Sequence, residues 1–192
     1  DADREALEAP SEESLDLRAR PEKYFGAGPR LPEPALLMLH RITGIWPTAG
    51  AAGLGRFRGE LDVDPDMWFF KAHFFQDPVQ PGSLGIEALL QLLQFSMIRL
   101  GLAEGEFAGG RFEPIALDSA LTWKYRGQVR PRNKRITSVI DVTKIVEDER
   151  GRVAIADGSL WVDGLRIYEA KNLAMRIVRE PSPDGERRGL PA

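Results

Sequence analysis

Met67–Leu100 reads MWFFKAHFFQDPVQPGSLGIEALLQLLQFSMIRL. Its second half is the longest apolar helical pattern in the chain, and from Leu84 to Ile98 it carries one charged residue, Glu87. A helix apolar nearly all round is a buried one, so Glu87 is expected where a carboxylate is costly to keep ionised. Gln91 and Gln94 continue on the Glu87 side and give the helix a thin polar stripe. Two readings fit. One is a buried acid, satisfied by glutamines, that holds the helix in register. The other is a general acid kept protonated by its surroundings.

His73, one of two histidines, precedes Glu87 by fourteen residues. A strand-like run, Trp68 to Lys71, delivers it, and the turns at Asp77-Pro78 and Pro81-Gly82 fold it back toward the helix start. A lone histidine beside aromatic residues is more often structural than catalytic. Here it is joined by an acid and by Gly82 at a helix N-terminus, where backbone N–H groups are unpaired and the dipole end is positive. Base, oxyanion donor and acid within fifteen residues are the parts for removing a proton next to a carbonyl.

The run AHFFQDPVQPGSLGIEALLQLLQF resembles the active-site segment of the 3-hydroxydecanoyl-acyl carrier protein dehydratase family, which has the hotdog fold. The resemblance extends from about Phe25 to Val178 through LPEPALLMLHRI, GELDVDPDMWFFKAHF, YRGQVRPRNKRIT and ADGSLWVDGLRIYEAKNL, in the family's order. The run from Trp68 to His73 also resembles dehydratase domains of polyunsaturated-fatty-acid and polyketide synthases. One position departs: the decanoyl-specific enzymes carry aspartate where this chain has Glu87. Glutamate there is typical of related dehydratases that do not isomerise their product.

The resemblance implies an α+β hotdog, an antiparallel sheet wrapped round one long central helix. It implies loss of water from a 3-hydroxyacyl thioester. His73 would take the α-proton, the Gly82 N–H would bind the enolate-like oxygen, and Glu87 would protonate the leaving hydroxyl. The Val79 carbonyl would orient the histidine. In the family each site takes its histidine from one subunit and its acid from the other. A chain holding one hotdog is therefore expected as a homodimer, or paired with a neighbouring synthase domain, which would also protect an open sheet edge. Gln91 is read from its spacing as a hydrogen-bond partner of Glu87, or as a structural polar contact. No freely dissociable cofactor is implied, since the substrate rides on the phosphopantetheine of an acyl carrier protein.

The 192 residues allow one domain with a sizeable core, and the net charge of -3 gives no sign of nucleic-acid binding. There is no cysteine, so disulfides and cysteine-based metal or nucleophile sites are excluded. No apolar run approaches the ~20 residues of a membrane span and no signal peptide is visible, which points to the cytoplasm. The chain begins with Asp1 rather than Met and is read as a piece of something longer.

Residues 1–20 read as a charged linker with one short helix near Ser11 to Arg20, residues 21–180 as the domain, and residues 181–192 as a second linker-like tail. Ala35 to Trp46 fits helix or strand by pattern, and the resemblance tips it to strand. Gly50 to Gly55 is a turn, and Arg56 to Asp62 alternates as a half-buried strand. Gly101 to Arg111 is a loop. The last third is antiparallel strand: Ala120 to Tyr125, Ile136 to Val146, Val153 to Val162 and Leu165 to Ile177, with a hairpin turn at Asp163-Gly164.

Lys124, Arg126, Arg130, Arg132, Lys134 and Arg135 form a basic cluster with no acid between Ser119 and Ile140. Charge patterning reads it as a solvated strand end or as a dock for an acidic carrier protein, and the resembled family uses this region for docking. His40 is read as structural and Asp77 as a turn-former. Ser83 is read as a helix cap rather than a nucleophile, and metal ligation is not expected. Against the dehydratase stand three other readings: a hotdog thioesterase, a dehydratase that also isomerises, and a non-catalytic dimerisation module.

Overall fold

The computed structural model describes residues 2–116 and 119–180, and the tail read at residues 181–192 lies outside them. Its helices are α1 (Ala2–Glu8), α2 (Glu22–Phe25), α3 (Trp68–Ala72) and α4 (Gly82–Arg99). Its strands are β1 (Leu15–Asp16), β2 (Arg41–Trp46), β3 (Arg56–Asp62), β4 (Arg111–Phe112), β5 (Thr122–Tyr125), β6 (Arg135–Asp148), β7 (Gly151–Val162) and β8 (Leu165–Val178). They form one antiparallel sheet in the order β1-β2-β3-β6-β7-β8-β4, with β5 also pairing to β8.

The curled sheet packs on α4 because both partners present apolar faces. Along β3, Phe57 and Leu61 point inward while Arg56, Arg58, Glu60 and Asp62 are part-exposed, the alternation read from the sequence. On α4, Leu89, Leu92, Leu93, Phe95 and Met97 are wholly buried against Ile140, Ala156, Leu173 and Met175. The Phe95 ring stacks on Tyr24 of α2 at 4.6 Å and meets Phe57 edge-on at 6.3 Å. Strands β7 and β8 join through Asp163 and Gly164, both at positive φ, which is the tight hairpin the Asp-Gly pair predicts. This α+β arrangement, an antiparallel sheet curled about one long helix, is the expected hotdog architecture.

The N-terminal segment departs from expectation. No helix forms near Ser11 to Arg20. Leu15 and Asp16 pair with Ile42 and Arg41, and Leu17–Ala19 makes one 3-10 turn. Leu17 is the cause: its side chain is fully buried and its N–H donates to the His40 carbonyl at 2.9 Å. The helix lies earlier, at α1, where the Arg58 guanidinium donates to the Leu7 and Ala9 carbonyls at 2.7 and 3.0 Å. The charged segment is thus anchored on the sheet. The strand expected over Ala35 to Trp46 begins only at Arg41, because the backbone of residues 36 and 38 is bonded instead to a helix side chain.

Candidate active site

His73 is delivered by a helical turn, α3, and not by the strand-like run expected from Trp68 to Lys71. Strand alternation would send Phe69 and Phe70 to opposite faces, yet both are buried in one apolar cluster with Met38, Leu61 and Leu84. Only a helical turn places neighbouring side chains on one side while leaving Trp68 and Lys71 exposed. After α3 the chain makes a tight loop. The Val79 N–H donates to the His73 carbonyl at 2.8 Å, while Phe74 and Asp77 exchange backbone bonds at 3.2 and 3.3 Å.

That loop fixes the imidazole. His73 Nδ1 lies 3.0 Å from the Val79 carbonyl oxygen, and a carbonyl only accepts, so Nδ1 must carry the proton. In the neutral ring, Nε2 then holds the lone pair. Val79 is itself buried, and the next N–H, of Gln80, donates to the Val129 carbonyl at 2.9 Å, tying the loop to the basic segment.

Helix α4 starts at Gly82 after Pro81, which supplies no side-chain cap. The Leu84 N–H is taken by the Pro81 carbonyl at 3.0 Å. The Gly82 N–H stands at the helix start, where no intrahelical acceptor exists. Ser83 is an exposed first-turn residue and not the cap predicted from sequence.

An aromatic floor, invisible in the local sequence, supports this terminus. A Cβ on Gly82 would lie 3.1 Å from the Trp123 ring, and one on Gly85 would fall 2.1 Å from Tyr168 Cε2. Glycine at 85 is what lets the ring sit beneath the first turn. The Tyr168 hydroxyl donates to the Gly82 carbonyl at 3.2 Å. Burial raises the Tyr168 pKa far above that of an ordinary phenol, with Tyr125 adding to the effect, so the hydroxyl keeps its proton.

Glu87 is only partly buried, which corrects the enclosed acid expected from an all-apolar helix. The helix is covered on the sheet side, but at Glu87 it opens onto a cleft of about 250 Å³ lined also by Arg30, Pro32, Leu36, Gln94 and Pro114. The carboxylate is held from one side. Gln91 Nε2 donates to Glu87 Oε1 at 2.7 Å and to the Leu36 carbonyl at 2.9 Å, while Gln91 Oε1 accepts from the Met38 N–H at 2.7 Å. Gln91 is wholly buried. His73 does not line the cleft of Glu87 within the same chain.

The basic cluster is less uniformly unpaired than its sequence suggests. Lys124 pairs with Glu169 at 3.4 Å, Arg130 with Asp77 at 3.0 Å, and Arg135 with Glu60 and Asp62 at 3.6 Å each. The acids come from elsewhere in the chain, which a local count cannot see. Among the described residues Arg126 and Arg132 have no acidic partner, while the Lys134 N–H donates to the Asp163 carboxylate at 3.0 Å. The Arg130–Asp77 pair sets the cluster beside the His73 loop, and Asp77 also closes that loop's turn. His40 lies apart on the sheet, where its Nδ1 accepts from the Asp62 N–H at 3.2 Å.

Fold and site together define a hotdog domain with a histidine loop ahead of a central helix. The FabA-like domain model matches residues 31–171, well over half of the chain. The chain belongs to the FabA-like family. Among solved structures, it is similar to the dehydratase heterocomplex ApeI:P from Xenorhabdus doucetiae, at 14% identity and a TM-score of 0.51, covering 82% of this chain and 91% of that one. At that identity the likeness is of fold. A hypothetical thioesterase with coenzyme A from Streptococcus pneumoniae TIGR4 matches at 13% identity and a TM-score of 0.42, covering 66% of this chain and 81% of that one, too distant to bear on activity.

Proposed function

We propose that this domain removes water from a 3-hydroxyacyl thioester presented by an acyl carrier protein, in fatty acid or polyketide synthesis. The observation that carries the reading is the 3.0 Å contact from His73 Nδ1 to the Val79 carbonyl, which leaves Nε2 as a base on the loop that leads into α4.

In this reading His73 Nε2 takes the proton from the carbon next to the thioester carbonyl. The Gly82 N–H receives the enolate-like oxygen, and one preorganised donor of this kind is worth ~3 kcal/mol. Electrons from the broken C–H bond form the new double bond as the C–O bond breaks. Glu87, steadied by Gln91, gives its proton to the departing hydroxyl, which leaves as water. The product is the trans-2-enoyl thioester. The proton on His73 and the charge on Glu87 cancel when the site resets. Positioned acid–base groups of this kind contribute ~10²–10⁴-fold each.

The domain works as a homodimer, or against a neighbouring synthase domain, with His73 from one partner meeting Glu87 from the other. The basic cluster Lys124, Arg126, Arg130, Arg132, Lys134 and Arg135, tied to the His73 loop through the Arg130–Asp77 pair, receives the acidic carrier protein. The deciding experiment incubates the protein with a 3-hydroxyacyl thioester and follows mass and ultraviolet absorbance. Loss of water with a rising enoyl absorbance supports the reading. Release of free acid would make it a thioesterase, and no change a non-catalytic module.

A further inference from the structure

The polar stripe on α4 runs past the residues assigned to the reaction. Gln94 follows Glu87 by seven residues, two helical turns. It therefore lies on nearly the same face, about 10 Å further along the axis. Both line one cleft, and Arg30 lines it with them. Past Arg30 and Pro32 the cleft widens into an opening of about 490 Å³ that reaches Arg111 and Phe112. Whatever extends from Glu87 along this cleft passes Gln94 and Arg30.

Gln94 is poorly satisfied where it stands. Its Nε2 reaches only the Met175 sulfur, at 3.8 Å, and its Oε1 is buried with no donor among the described residues. Leucine or methionine would serve a purely structural role better on so apolar a helix, since a buried amide oxygen without a donor is destabilising. Arg30, exposed at the rim, brings five N–H donors and has no acidic partner among the described residues. The cleft thus carries an unfilled acceptor enclosed in its wall and unfilled donors at its exposed rim.

We propose that the cleft receives the far end of the acyl chain and selects chains bearing a hydroxyl there. The hydroxyl donates to Gln94 Oε1 and accepts from the Arg30 guanidinium. This rests on reading Glu87 as the acid of the dehydration. A hydroxyl is the small group that fills both needs at once. A methyl terminus leaves Gln94 unpaired and strips water from Arg30. A carboxylate satisfies Arg30 but offers Gln94 Oε1 no proton.

The test measures binding, so it does not depend on turnover. Unreactive amide analogues of 3-hydroxyacyl pantetheines, in a series of chain lengths ending in methyl, hydroxyl or carboxylate, are titrated into the full chain by calorimetry. At the best length the hydroxyl-tipped amide should bind about tenfold more tightly than the methyl-tipped one. Gln94→Leu should abolish that preference, and Arg30→Met should reduce it, with the methyl-tipped amide bound at least as tightly as by the wild type. Leucine suits the apolar helix and Arg30 is exposed, so thermal melting should show both variants folded. Equal or weaker binding of the hydroxyl form, tightest binding of the carboxylate, a preference surviving Gln94→Leu, or no binding of any amide each overturns the proposal. Dehydration of the methyl-tipped thioester is assayed separately. Its failure, with the binding preference intact, would remove the dehydratase reading alone.

Discussion

Gln91 spends its side chain entirely inside the protein. Its amide accepts from Met38 N–H and donates to both the Leu36 carbonyl and Glu87, joining the helix to the chain that precedes β2. Gln91→Leu keeps the volume and removes all three bonds, leaving the Met38 N–H buried and unpaired. We expect a loss of about 1–3 kcal/mol in chemical denaturation and a fall in kcat larger than any rise in KM, because Glu87 loses the support of the Gln91 amide. The length of that acid matters as well. Isomerisation needs a proton taken from the γ-carbon and another returned to the α-carbon within one bound geometry. Glu87 is one methylene longer than the aspartate of the isomerising relatives, and an ångström of misplacement costs ~100-fold. Supplied with a trans-2-enoyl thioester, the protein should yield no cis-3 isomer by NMR, and substantial cis-3 product would refute this. At this scale the His73–Val79 contact and the Gln91–Glu87 hydrogen bond were legible because each joins residues close together in one short stretch. The bonds from Gln91 to residues 36 and 38, and from Tyr168 to Gly82, were not, because backbone donors and acceptors 53 to 86 residues away leave no mark in a sequence.

The elements divide by the same logic. Long strands with regular alternation, and a long apolar helix, announce themselves because many residues repeat one instruction. The single turn of α3 and the edge pairing of β1 do not, since two to five residues carry too little pattern and the burial of Phe69, Phe70 and Leu17 decides them. The face shared by β2, β3 and β6 carries a charged network of Arg41, Glu60, Asp62 and Arg135. Its consequence can be read from pH. The Arg41 guanidinium, and then Arg135 and His40, hold Asp62 down to about 2 from its ordinary 3.8. A depressed folded-state value means the contribution is whole above the unfolded value and is lost as pH falls through the folded one. Asp62 is partly exposed, so water screens the pair and about 1 kcal/mol or less is expected. Wild type should therefore melt slightly above Asp62→Asn near neutrality. The gap should close as pH falls from about 4 to about 2, and a gap unchanged across that range would show that the pair contributes nothing.

At the scale of the whole molecule, one chain looks half-finished. All four residues of β5 are exposed, including Trp123 and Tyr125, and the His73 loop ends in Phe74 and Phe75 at 59% and 91% exposure. These are large apolar groups that a second copy would cover. The proposed chemistry makes the same demand, because His73 is not among the residues lining the cleft of Glu87 in its own chain. Sedimentation at micromolar concentration should accordingly give twice the 21.4 kDa chain mass. A sharper test asks whose histidine meets whose acid. His73→Ala and Glu87→Gln should each be inactive as pure proteins. Glu87→Gln should stay folded, since its amide oxygen still accepts from Gln91. When the two variants are unfolded together and refolded in equal amounts, half of the dimers should pair one of each. A shared site then brings the intact histidine of one chain to the intact acid of the other at one of the two sites. The mixture should recover about a quarter of wild-type activity by that symmetry. A site built within one chain predicts none, because every subunit in the mixture lacks one of the two groups.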